Sequence, residues 1–169
     1  MDPHEEKLKQ YIASRHIRAE HLTFPVSCHS VKEAAAAANA SPKDFVKSIC
    51  LIDAQDELIV AIVKGEDWAS LSRVGDAIGN GAIESGAAAG PLRLAGPLRL
   101  ATPDEVLART GYVCGGVPAF GYEARYLMDP KVLQREFVYT GGGSEQSLVK
   151  ITPAELQRIN NGQIVRIRE

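Results

Sequence analysis

The sequence predicts an α+β fold in one domain, and three observations lead there. Apolar runs of strand length come in pairs around short polar turns. Helix starts recur as Ser/Thr-x-x-Glu boxes, in which side chain and backbone satisfy each other's orphan amides. The two signals alternate without the strand-helix-strand rhythm of a doubly wound sheet. With 169 residues the chain allows one domain or at most two, and no low-complexity linker divides it.

The elements follow in order. Leu8, Tyr11 and Ile12 lie at helical spacing, so an amphipathic helix covers about residues 5–15. Residues 22–26 read as a short extended piece, with Pro25 suited to a sheet edge. Ser30 and Glu33 form a capping box ahead of an alanine run, and Asn39 stops that helix. Ser41 and Pro42 start a short helix ending near Lys47. Residues 48–52 and 57–63 are two nearly continuous apolar strands around a polar turn, an antiparallel hairpin placed mid-sheet.

Trp68, Leu71, Val74 and Ile78 repeat at helical spacing, and the glycine-rich residues 79–90 stay unassigned. The hexapeptide Gly-Pro-Leu-Arg-Leu-Ala occurs in tandem at 90–95 and 96–101, read as a local duplication in a loop or edge strand. Thr102 and Glu105 make a second capping box, with Pro103 at the first helical position and a helix to about Arg109. An irregular glycine- and proline-rich loop fills 111–121. Strands follow at 126–128, 137–139 and 148–151, with Asp129-Pro130 opening a helical turn and 141–144 a tight turn. Thr152 and Glu155 form a third box, and 163–167 close the chain as a strand.

Composition excludes several classes. With 45% hydrophobic residues, 24% charged and a net charge of −2, the chain is neither a disordered tail nor a strongly basic nucleic-acid binder. No apolar run approaches the ~18 residues of a membrane span, and no secretory leader is readable, so a cytoplasmic protein is expected. Cys28, Cys50 and Cys114 form no C-x-x-C pair, and the four histidines show no H-E-x-x-H spacing, so neither a metal nor a cofactor is expected. Residues 1–84 carry 9 Lys/Arg against 13 Asp/Glu, while residues 85–169 carry 10 against 8. Arg93, Arg99 and Arg109 could form a local basic rim.

Four features could carry chemistry. The loop Gly111-Tyr-Val-Cys-Gly-Gly-Val-Pro-Ala-Phe-Gly121 can bring bare backbone amides to a ligand, or can be an ornate turn. It matches neither a Walker A loop nor a dinucleotide fingerprint. Lys47 sits among Phe45, Val46, Ile49 and Cys50, so its ammonium either snorkels to water or is held for a purpose. Cys114 would need a base or a cation nearby to act as a nucleophile. Cys28-His29 is equally open, and Gly141-Gly142-Gly143 is most simply a hairpin turn.

Several motifs together resemble a known family: Pro-Val-x-x-x-Ser-Val-Lys-Glu-Ala at 25–34, Phe-Val-Lys-Ser at 45–48, Thr-Gly-Tyr-x-x-Gly-Gly-Val-Pro-Ala-Phe-Gly at 110–121, Val-Tyr-x-Gly-Gly-Gly-Ser at 138–144 and Ile-Thr-Pro-Ala-Glu-Leu at 151–156. The chain is similar to the YbaK/EbsC group of aminoacyl-tRNA deacylases and to the editing domain of bacterial prolyl-tRNA synthetases. That resemblance implies a mixed, partly barrel-like sheet surrounded by short helices. It implies Lys47 as the essential lysine, and Gly115 and Gly116 as the loop facing the scissile ester. Ser30 falls where many relatives have a threonine lining the pocket, and Val117, Pro118, Phe120, Gly121 and Gly142 complete the implied substrate-binding set. The loop departs from the relatives' Gly-x-x-x-Pro pattern, with Ala119 in the proline position and Pro118 one place early.

The expected activity is trans-editing. A hydrolase too short to hold a synthetase would remove a small amino acid such as Ala, Cys or Ser from tRNA-Pro or a similar tRNA. Its partners would be mischarged aminoacyl-tRNA and an aminoacyl-tRNA synthetase. Two rivals differ in class: a non-catalytic tRNA- or synthetase-binding module of the same fold, and a thiol hydrolase using Cys114.

Overall fold

The computed structural model describes residues 2–85 and 98–169. Most of the tandem repeat, Arg93 included, lies outside them. The first half runs α1 (Pro3–Ser14), β1 (Ala19–Thr23), α2 (Val31–Ala38), β2 (Val46–Ile52), β3 (Leu58–Lys64) and α3 (Leu71–Ser85). The second runs β4 (Arg99–Leu100), α4 (Pro103–Thr110), β5 (Arg125–Met128), β6 (Val138–Gly141), β7 (Ser147–Ile151), α5 (Pro153–Asn160) and β8 (Gln163–Ile164).

The strands make two sheets. One is antiparallel, in the order β1-β7-β6. The other is mixed, in the order β4-β2-β3-β5-β8, with β3-β5 and β5-β8 parallel. They meet where Phe45 bridges to Tyr139, the two rings stacked at 4.8 Å. The fold is therefore α+β, with two adjoining sheets that do not close into a barrel.

The β2-β3 hairpin is central because both of its faces are covered. Side chains alternate along β3: Ile59, Ala61 and Val63 pack with Val74 and Ala77 of α3, while Leu58, Val60 and Ile62 face the larger core with Tyr112 and Phe120. Covering both faces is why the strand reads as a continuous apolar run.

Helix ends follow the capping chemistry. Asp2 accepts from the amides of His4 and Glu5, and the boxes at Ser30/Glu33 and Thr102/Glu105 are both closed. The third box is half made. Thr152 caps the Glu155 amide, but the Glu155 carboxylate accepts from the Arg18 amide and from Arg158 instead.

Four elements differ from expectation. The helix expected from Ser41 to Lys47 is a single 3-10 turn at Pro42–Asp44. Strand pairing with β3 begins at Val46 and takes Lys47 into the sheet. Trp68 precedes α3 rather than belonging to it, because Ala69 bridges to Arg168 and the Ser70 amide donates to Ile167 O. The first strand lies at 19–23, ending before Pro25. The closing strand stops at Ile164, since buried Asp129 then takes the amides of Ile167 and Arg168.

Candidate functional site

A cleft of about 550 Å³ opens where β2, the start of α2, the 114–117 loop and β6 converge. Lys47, Ser30, Gly115 and Val117 all line it, with His29, Trp68 and Cys114. Residues as far apart in sequence as Cys28 and Leu148 are thus brought to one cleft. On β2, Lys47 lies opposite Val63. Among the described residues no carboxylate pairs with its ammonium; instead Nζ sits 3.8 Å from the centroid of the Trp68 ring. Burial pushes the lysine pKa down, and the charge of Asp67 opposes that only in part. Asp67 itself is tied to Lys131 at 3.2 Å. The Lys47 cation is therefore held by a π face and left unneutralised.

The glycine loop is stitched to the hairpin behind it. Gly111 caps α4 in the left-handed region. Gly116 donates its N–H to Val113 O at 2.9 Å and accepts from the Gly143 amide at 2.8 Å. Thr140 Oγ1 accepts from the Ala119 amide. A Cβ on Gly116 would lie 2.7 Å from Ser144 N, and one on Gly141 would meet the Val117 carbonyl, so two backbones touch where side chains cannot fit. The hairpin is braced in turn by α1: the buried Glu5 carboxylate accepts from Thr23 Oγ1 and Ser144 Oγ.

Of the two loop amides expected to face an ester, Gly116's is spent inside the turn, and the Gly115 amide has no hydrogen-bond partner among the described residues. Gly115 is exposed, holds φ at +93°, and lies against the His29 ring. His29 Nδ1 is 3.4 Å from Glu145 Oε1, and both side chains are more than half exposed. Ser30 lines the cleft, but its hydroxyl already caps α2 by accepting from the Glu33 amide.

Gly116, Pro118, Phe120, Gly121 and Gly142, expected at the substrate, do not line the cleft; they form its backing. Pro118 accepts from Tyr122 Oη through its carbonyl. Phe120 is fully buried against Tyr11, and Gly121 takes φ +100° beside Tyr11 and Tyr112. Gly142 accepts from His21 Nε2 at 2.7 Å, depending on the ring tautomer. Cys114 is exposed at the cleft, and no base is hydrogen-bonded to it among the described residues. Burial, then the neighbouring Cys114, pushes the Cys50 thiol up to about 12.

Of the expected basic rim, Arg93 lies outside the described residues. Arg99 is clamped bidentately by Glu105 at 2.7 and 2.8 Å. Arg109 donates to Asp56 O and lines a different groove. Two residues escaped the sequence reading. Ser48 lines the cleft with its Oγ buried and unpartnered; as a serine next to Lys47 it gave no separate signal. Trp68 fits helical spacing to Leu71, and that pattern masks its place at the cleft. Among the described residues no group of three or more His, Cys, Asp or Glu could hold a metal, and no helix is long and apolar enough to cross a membrane.

Comparisons with known proteins bear on this geometry. A family model described as an aminoacyl-tRNA editing domain matches residues 26–159. Among curated proteins none matches the sequence. A crystal structure of a candidate trans-editing enzyme for prolyl tRNA synthetase is 26% identical, covers 100% of this chain and 99% of its own, and superposes with a TM-score of 0.83. A hypothetical protein of 25% identity covers 96% of this chain and 99% of its own, with a TM-score of 0.80. A structure from computational epitope grafting, at 22% identity and TM-score 0.83, covers 100% of this chain and 99% of its own and shares the fold.

Proposed function

The chain belongs to the aminoacyl-tRNA editing domain family, and from that premise we propose that it is a trans-acting hydrolase. It releases a small, wrongly attached amino acid from its tRNA, in the cytoplasm where tRNAs are charged. The likeness to a candidate trans-editing enzyme for prolyl tRNA synthetase supports tRNA-Pro, or a similar tRNA, as the carrier. One observation carries the reading: a single cleft is lined both by Lys47, held on a ring face, and by Gly115 of the glycine loop.

An aminoacyl ester is reactive enough to need only positioning and charge stabilisation. Water attacks the carbonyl carbon, and the carbonyl oxygen becomes an oxyanion that accepts from the Gly115 N–H. The tetrahedral intermediate then breaks its bond to the ribose oxygen, which leaves as a hydroxyl after taking a proton. Lys47 holds the anionic end of the terminal nucleotide. Selectivity comes from exclusion, because Cys28, Ala34, Phe45 and Leu148 build a closely packed apolar wall at the cleft. A second sieve of this kind rejects side chains larger than the intended one.

The test is a panel of mischarged tRNAs, each followed for loss of its ester. Accelerated release of one small amino acid is expected, and alkylation of Cys114 should leave it unchanged. A panel with no accelerated member would overturn the reading in favour of a binding module.

A further inference from the structure

Trp68 has no role in the chemistry above, yet it is the most exposed large apolar side chain among the described residues, at 67%. A lone exposed apolar residue needs no explanation, but this one lines the cleft and carries the Lys47 ammonium on its ring. Leu100, 62% exposed, lines the same cleft. Tyr139 also lines it, but that ring is stacked on Phe45.

We propose that Trp68 is a stacking platform for the 3′-terminal adenine of the tRNA; this rests on the editing reading above. The chemistry is local. Every aminoacyl ester hangs on the ribose of the terminal adenosine, so the base lies one nucleoside away from the scissile bond. With the ester at Gly115, the base has to lie farther along the same cleft, whose lining also includes Trp68. An indole offers a flat π surface that takes a base by stacking, without reading its hydrogen-bonding edge. The ammonium of Lys47, beside that ring, is placed to hold the phosphate of the same nucleotide. Trp68 thus fixes the nucleoside while Lys47 fixes its charge, and the ester reaches the Gly115 amide in register.

The chain has a single tryptophan, so its fluorescence reports on this residue alone. The full-length protein would be titrated with an uncharged tRNA ending in CCA, and with the same tRNA lacking its terminal adenosine. The CCA form should quench the emission and bind about tenfold more tightly than the shortened form. In deacylation, Trp68→Leu should raise KM about tenfold with kcat changed far less, and Trp68→Phe should recover most of that loss. Equal quenching and equal affinity for the two tRNAs would overturn the platform, as would a Trp68→Leu enzyme with wild-type KM. The fluorescence arm needs no turnover. A protein that discriminates the terminal adenosine yet hydrolyses no ester keeps the platform and loses the hydrolase; one that hydrolyses without discriminating does the reverse.

Discussion

Asp129 and Lys47 sit in the same five-stranded sheet region and treat charge in opposite ways. Asp129, just after β5, is fully buried and accepts from the amides of Lys131, Ile167 and Arg168 and from the Arg168 guanidinium at 2.7 Å. Burial alone would raise its pKa, but those donors outweigh it and hold the carboxyl below its usual range. Lys47, on β2, has an indole where a counter-ion would be. A polar group whose bonds are all used holds the fold together. One left open at a cleft is available to a ligand.

Breaking the closed knot should have the largest effect on stability. Asp129→Ala orphans three amides and a guanidinium, so a loss of about 3–5 kcal/mol is expected in denaturant unfolding. The pH dependence sharpens this. A carboxyl with a depressed folded pKa contributes stability above its unfolded value, ~3.9, and loses it as pH falls through the folded value. The wild type should therefore lose more stability than Asp129→Ala as pH falls below about 4.

The two loop glycines separate next. Gly116→Ala drives a Cβ to within 2.8 Å of Gly143 C and Ser144 C, backbone that cannot swing aside. Overpacking there should cost about 1–3 kcal/mol, read as a lower Tm. Gly115→Ala meets the exposed His29 ring instead, which can rotate, and the positive φ costs about 1 kcal/mol. Its fold should survive with a Tm only a few degrees lower, while deacylation falls about tenfold or more.

The smallest effect concerns pH. Burial lowers the Lys47 pKa, so the ammonium is lost as pH rises through a value below that of ordinary lysine. Deacylation, corrected for uncatalysed ester loss, should decline along that limb. Lys47→Arg, which does not titrate there, should flatten it. A decline at the same pH in the arginine variant would assign the limb to another group.

The elements were legible where local chemistry fixes them. Capping boxes at Ser30 and Thr102, the hairpin turn at 53–56 and the doubly buried β3 all carry their signal within a few residues. The α+β class followed from their alternation. The misplacements arose where tertiary contacts override local pattern. Strand pairing captured Lys47 from a short helix, and the Asp129 knot ended the last strand early. In the site, resemblance pointed to Lys47, Gly115 and Ser30, which do share the cleft. The partner of the Gly116 amide and the place of Trp68 depend on contacts across the fold, and no spacing rule reports those. The Glu155 carboxylate shows the same limit, since its box was diverted by Arg18 from 137 residues away.

The contrast between the two charges is tested most directly by single-turnover hydrolysis of one small-amino-acid ester, with Lys47→Ala and Asp129→Ala side by side at a temperature where both remain folded. Lys47→Ala should retain wild-type circular dichroism and lose about a hundredfold or more in rate, the scale of a lost electrostatic contact. Asp129→Ala should stay within about threefold of wild type. A Lys47→Ala enzyme turning over at the wild-type rate would contradict the assignment of the open cleft as the site of chemistry.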